Sequence, residues 1–138
     1  EDVLSQDIEV LNDKFNIASE SAELTEGTLT LPVQVALQRM ITISDNYTAL
    51  LLTEKVRIAS INDFLRKNSL VNSKMGGATA PPQTTAYDTG LFFEKIYKGE
   101  LIDKIYSDKM LALLKNQKKN SKLPKYLPKS LVFAHKTG

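Results

Sequence analysis

The sequence predicts an α+β fold, mostly helical, with a strand at its end. Three observations carry this. Between about residues 30 and 116, apolar side chains recur at three- and four-residue spacing behind residues suited to capping helices. Leu131-Val132-Phe133-Ala134 is a short uninterrupted apolar run of the length of a buried strand. The 138 residues are 42% apolar and 25% charged, a balance that suits one folded domain or a large part of one.

Residues 1–27 are mixed and polar, with short apolar pairs such as Val10-Leu11, and read as irregular structure with one strand. A helical region is expected over residues 28–120. Thr30 is placed to cap its first helix, with Pro32 in the first turn, where a missing N–H costs nothing. Val33, Leu37, Met40 and Ile41 then share one face, and Ser44 follows on that face at the helix C-terminal end. Asp45 or Asn46 caps a leucine-rich helix from about Tyr47 to Lys55. Ser60 and Asp63 have capping-box spacing for a third helix, with Ile61, Phe64 and Leu65 as its apolar face. Residues 69–83 read as a loop, since Gly76-Gly77 loosens the chain and Pro81-Pro82 bars a helix. Thr85 and Asp88 open a further helix through Ile96 that ends at Gly99. Ser107 caps one more, to about Asn116. A lysine-rich, proline-broken stretch follows, and then the strand, residues 131–138.

Composition excludes several classes. There is no cysteine, hence no disulfide framework and no zinc–thiolate site. A net charge of +2 gives no argument for nucleic acid. The longest apolar runs, such as Ala49-Leu50-Leu51-Leu52, are far too short to span a membrane. The acidic opening Glu1-Asp2 is unlike a signal peptide, and the chain reads as a trimmed piece of a longer protein.

Two short motifs carry chemistry: Ser44-Asp45-Asn46 between two helices, and Lys136-Thr137-Gly138 at the end of the strand. Each alone has a plain structural reading, the first as a helix cap and the second as a solvated turn. Together, in this order, and with flanks such as Met40-Ile41-Thr42-Ile43 and Val132-Phe133-Ala134-His135, they resemble class A β-lactamases and penicillin-binding proteins. The resemblance covers about residues 28–138.

That resemblance implies a β-lactamase-like fold, of which this chain is the helical region plus one cleft-lining strand of the antiparallel sheet. It implies serine acyl transfer on β-lactams or D-Ala-D-Ala peptides. Ser44 would relay a proton to the leaving nitrogen and Lys136 would supply positive charge beside it. Asn46 would hold the substrate amide, Thr137 its carboxylate, and Gly138 would let it lie close to the strand. Asp45 points away as a helix cap. No metal or organic cofactor is implied, and the expected location is extracytoplasmic. The remaining partner is the rest of the same domain.

Two departures qualify this. No Ser-x-x-Lys occurs in the 138 residues, so the nucleophile and its lysine are expected upstream of Glu1, and further strands and a final helix beyond Gly138. Residues 66–84, where class A enzymes place the glutamate that activates the deacylating water, contain no acidic residue. Slow deacylation is therefore expected, and a non-catalytic β-lactam or cell-wall-peptide binder is the alternative. An unrelated helical interaction protein is a further alternative, which a wide separation of Ser44 from Lys136 would favour. The lone histidine, His135, falls on the strand face opposite Lys136 and reads as structural. Lys115, Lys118, Lys119, Lys122, Lys125 and Lys129 read as a solvated loop, with attraction to an anionic cell envelope the lesser alternative.

Overall fold

A computed structural model describes residues 2–15, 17, 24–77 and 80–137. The elements run β1 (Val3–Asp7), α1 (Ile8–Lys14), β2 (Thr28–Pro32), α2 (Val33–Thr42), α3 (Asn46–Val56), α4 (Ile58–Lys67), α5 (Ala86–Lys98), α6 (Lys104–Lys115) and a 3₁₀ turn at Leu123–Tyr126. The fold is α+β and mostly helical, with one two-stranded sheet.

The strands differ from expectation. β1 and β2 pair antiparallel, Val3 opposite Pro32 and Asp7 opposite Thr28, so Thr30 lies in a ladder and caps nothing. Pro32 closes that strand in extended geometry (φ −61°, ψ 145°), and the helix begins one residue later. Proline suits this junction because its fixed φ serves both strand end and helix entry, and its lack of an N–H falls at the last ladder position. Residues 1–27 thus hold a strand and a short helix. Residues 131–137, expected as a strand, form no ladder among the described residues. An apolar run becomes a strand only where another edge satisfies its backbone groups. Here the main chain of this segment instead sends the His135 N–H to the Leu114 carbonyl (3.2 Å), at the end of α6.

Two apolar clusters hold the helices. One gathers Leu4, Ile8, Leu11, Leu31, Ala36, Tyr47, Leu51 and Leu52 from the sheet and α1 to α3. The other centres on Ile96, Leu101 and Leu114, with Ile41, Phe64, Phe92 and Ala134 against it. α2 lies between them and packs on both α3 and α6. Its inward residue is Ala36, fully buried, whereas Leu37 of the expected face is 37% exposed. The small side chain lets α2 approach its neighbours closely, and the inward row is Val33, Ala36 and Met40.

Among the described residues, side-chain caps set three of the six α-helix starts. Asp45, Thr85 and Asp103 each accept the backbone N–H three residues on, from Thr48, Asp88 and Tyr106. Two expected caps, Ser60 and Ser107, lie inside their helices. α4 starts earlier, at a sharp turn through Arg57 (φ 71°), and α6 starts earlier because Asp103 caps it. Gly99 ends α5 in the left-handed region (φ 77°), where an added Cβ would meet the Lys104 side chain at 2.9 Å.

The loop over 69–83 is pinned from both sides. Asn62 donates to the Met75 carbonyl (3.1 Å) and accepts from its N–H (2.7 Å). Asp88, 1% exposed, accepts from the Asn72 N–H and the Ser73 hydroxyl, each at 2.8 Å. Asp88→Ala would take the charged acceptor from the part-buried Asn72 N–H and leave the Ser73 hydroxyl with Thr84 alone. The expected cost is about 2–3 kcal/mol of stability, with Asp88→Asn costing less. Denaturant unfolding of the full-length protein checks this, and equal stability of Asp88→Ala and wild type would refute it.

Candidate active site

The turn between α2 and α3 displays Ser44. Ser44 itself is left-handed (φ 58°), an unusual conformation for a residue with a Cβ, and it breaks α2 sharply. The next residue holds the break in place. Asp45 accepts from the Thr48 N–H with Oδ1 (3.0 Å) and from the Arg39 guanidinium with Oδ2 (2.9 Å from Nε, 2.5 Å from Nη2). One carboxylate thus ties the last turn of α2 to the first turn of α3. Its two neighbours are left facing the cleft: Ser44 half-buried and Asn46 exposed at the start of α3.

Lys136 reaches the same place from the other end of the chain. Ala134 packs in the second apolar cluster. His135 is held through its N–H, as above, and through Nε2, 2.9 Å from Asn120 Oδ1. Lys136 then turns into the cleft and donates to Ser44 Oγ at 2.6 Å, across 92 residues of sequence. It also donates to the Thr137 carbonyl at 2.5 Å.

The cleft has a volume of about 690 Å³ and is lined by Ser44, Asn46, Lys118, Lys119, Asn120, Ser121, Lys122, Lys136 and Thr137. Four of the predicted site residues therefore meet there: Ser44, Asn46, Lys136 and Thr137. Gly138 lies outside the described residues. His135 belongs to the neighbouring cavities and not to this one. Sequence reasoning missed residues 118–122 as cleft lining. Nothing in a lysine-rich stretch distinguishes a wall from a solvated loop; the signal lay in Gln117, an uncharged residue between lysines that turns out to be buried and bonded.

Electrostatically the cleft is one-signed. It is lined by four lysines and, among the described residues, no carboxylate. The Lys136 ammonium is held below the usual lysine range, mainly because partial desolvation disfavours its charge and further because the charge of Lys119 opposes it. Chemically, a serine hydroxyl that accepts from an ammonium keeps its own proton free to donate elsewhere. Among the described residues no three His, Cys, Asp or Glu side chains gather as metal ligands, and no helix is long and apolar enough to cross a membrane.

The family model described as the Beta-lactamase enzyme family matches residues 3–138. This chain belongs to that family. Its fold superposes on a penicillin-G acyl-enzyme complex of a PBP-A variant with a TM-score of 0.80 at 21% identity, over 100% of this chain and 53% of that one. It matches a β-lactamase from Sphaerobacter thermophilus with a TM-score of 0.69 at 23% identity, over 77% and 43%. It matches the TLA-3 extended-spectrum β-lactamase with a TM-score of 0.72 at 25% identity, over 80% and 44%. The chain thus spans about half the length of these solved structures. No curated protein matches the sequence.

Because Lys119 opposes the charge on Lys136, Lys119→Gln is expected to raise the Lys136 pKa. In the wild type, Lys136 loses its proton at lower pH than an ordinary lysine, so its ability to attract a carboxylate fades as pH rises through that depressed value. The variant should hold the charge to higher pH. Following the Lys136 side-chain resonances through a pH titration checks this; an unmoved midpoint would show that desolvation acts alone.

Proposed function

We propose that this chain forms one wall of the active site of a serine acyl-transfer enzyme resembling class A β-lactamases and penicillin-binding proteins, acting on β-lactams or D-Ala-D-Ala peptides. The observation that carries the reading is the 2.6 Å contact between Lys136 Nζ and Ser44 Oγ. Acyl transfer from an amide needs a nucleophile, a proton for the departing nitrogen and a fixed place for substrate charge. Ser44, accepting from Lys136, is arranged to give up its proton to that nitrogen. Lys136 keeps positive potential at the point where the proton leaves and, with the Thr137 hydroxyl, draws the substrate carboxylate into the cleft. Asn46 offers an amide at the cleft edge for the acyl-side amide. Gly138 completes the motif and allows close backbone approach. The nucleophilic serine and its lysine come, in this reading, from a Ser-x-x-Lys segment outside these 138 residues. The remainder of the domain is the chain's structural partner, and the protein works outside the cytoplasm, where such substrates occur.

Turnover of the acyl-enzyme is slow in this reading. A deacylating water must lose a proton, and residues 66–84 have no group to take it. The flanking acids are already engaged: Asp63 with Arg66, and Asp88 with Asn72 and Ser73. Loss of a general base costs about 10²–10⁴-fold in rate. A penicillin-binding protein or β-lactam sensor fits this better than an efficient resistance enzyme.

Full-length protein should label with a fluorescent penicillin and retain the label for minutes or longer, and mass spectrometry after rapid mixing should detect the adduct. Consumption of β-lactam without any accumulating adduct would refute slow deacylation. Lys136→Ala should slow acylation by an amount worth about 2–4 kcal/mol. An unchanged acylation rate would place the carboxylate elsewhere.

A further inference from the structure

The cleft contains more positive charge than a single carboxylate requires. Beside Lys136, its wall carries Lys118, Lys119 and Lys122. Elsewhere on the surface four lysines have acidic partners, Lys14 with Glu54, Lys55 with Asp2, Lys98 with Glu94 and Lys104 with Asp108, and others stand without one among the described residues. Among the described residues none of the four cleft lysines is in an ion pair.

These lysines do not sit on a free loop. Gln117, 5% exposed, donates through Nε2 to the Ile41 carbonyl (2.6 Å) and accepts from the Lys119 N–H through Oε1 (2.9 Å). The Lys118 N–H donates to the Thr42 carbonyl (2.8 Å), two residues before Ser44. The backbone that bears Lys118 and Lys119 is therefore fastened to the same helix end that displays Ser44. Lys122 also lines an adjoining cavity of about 330 Å³ together with Lys136 and Thr137. The extra charge thus extends from the Lys136–Thr137 side of the cleft.

We propose that Lys118, Lys119 and Lys122 form a second anion subsite next to Lys136 and Thr137, selecting acyl donors that carry a further carboxylate on the side of their first. This rests on the reading of the cleft as an acyl-transfer site and names the substrate class that it prefers. Like charges held together without partners are relieved by a ligand that brings negative charge, and one carboxylate leaves most of that potential unused. The lysine heads are exposed, so each contributes modestly and the effect is screened by salt.

The test uses two cephalosporins that differ only in the substituent beside the ring carboxylate, ending in a carboxylate in one and its primary amide in the other. Second-order acylation rates of the full-length protein are measured for both. The expected preference for the dianion is about fivefold at low salt, falling towards unity near 1 M salt, where the screening length is about 3 Å. Combined Lys118→Gln, Lys119→Gln and Lys122→Gln substitution should bring the low-salt ratio to about one, and Lys122→Glu alone should lower it below the wild-type value. Equal rates for both compounds at low salt overturn the subsite while leaving the acyl-transfer reading intact. A dianion preference that survives the triple substitution also overturns it. No acylation by either compound overturns the functional reading and this inference with it.

Discussion

The site depends on one carboxylate. Asp45 bonds backward to Arg39 on α2 and forward to the start of α3, and its side chain is only 10% exposed. Between those two anchors the chain must turn within three residues. Ser44 meets that demand by adopting a left-handed conformation, which costs a residue with a Cβ roughly 1–2 kcal/mol. Charge-assisted bonds of the kind Asp45 makes are worth about 1.5–3 kcal/mol each in favourable settings, enough to hold the turn. Packing fixes how α2 and α3 lie against each other; this tie fixes the turn between them, which presents Ser44 and Asn46 to one cleft.

The second constraint is that the end of α6 meets the end of α2. Gln117 and Lys118 bond to the last carbonyls of α2, which a helix leaves unsatisfied, and His135 bonds to the end of α6. Three segments distant in sequence thereby converge through backbone groups that helix termini always expose. The convergence owes little to side-chain identity except at Gln117, whose amide both donates and accepts. Two apolar clusters support this corner from either side of α2, so the cleft rests on packed helices and its polar residues remain free to meet a ligand.

Much of this was legible in the sequence, and the misses have physical causes. The α+β class, the helix from Thr85 to Gly99 and the capping role of Asp45 follow from local rules, because caps act within three residues. Ser44 and Lys136 were legible through motif resemblance, since no local rule joins residues so far apart. Thr30 and Pro32 misled because a strand ending in proline and a helix beginning with it look alike over five residues; the β1 partner that decides between them lies 25 residues earlier. Ser60 and Ser107 misled because a serine within a helix resembles a cap until a better capping geometry is found upstream. Residues 131–137 look like a strand because they open with the apolar run Leu131 to Ala134, yet strand formation is a property of two edges. The lysine wall was illegible because charge density is the same on a loop and on a cleft; what differs is the buried glutamine between the lysines.

The central claim is that Ser44, Lys136 and Thr137 together meet one substrate. The measurement that tests it most directly is a crystal structure of the full-length protein trapped as its penicillin adduct. The account predicts the ligand carboxylate within about 3 Å of the Thr137 hydroxyl and near the Lys136 ammonium, with Ser44 Oγ turned towards the opened ring nitrogen. An adduct whose carboxylate lies elsewhere, with Ser44 and Lys136 bonded only to each other, would contradict it.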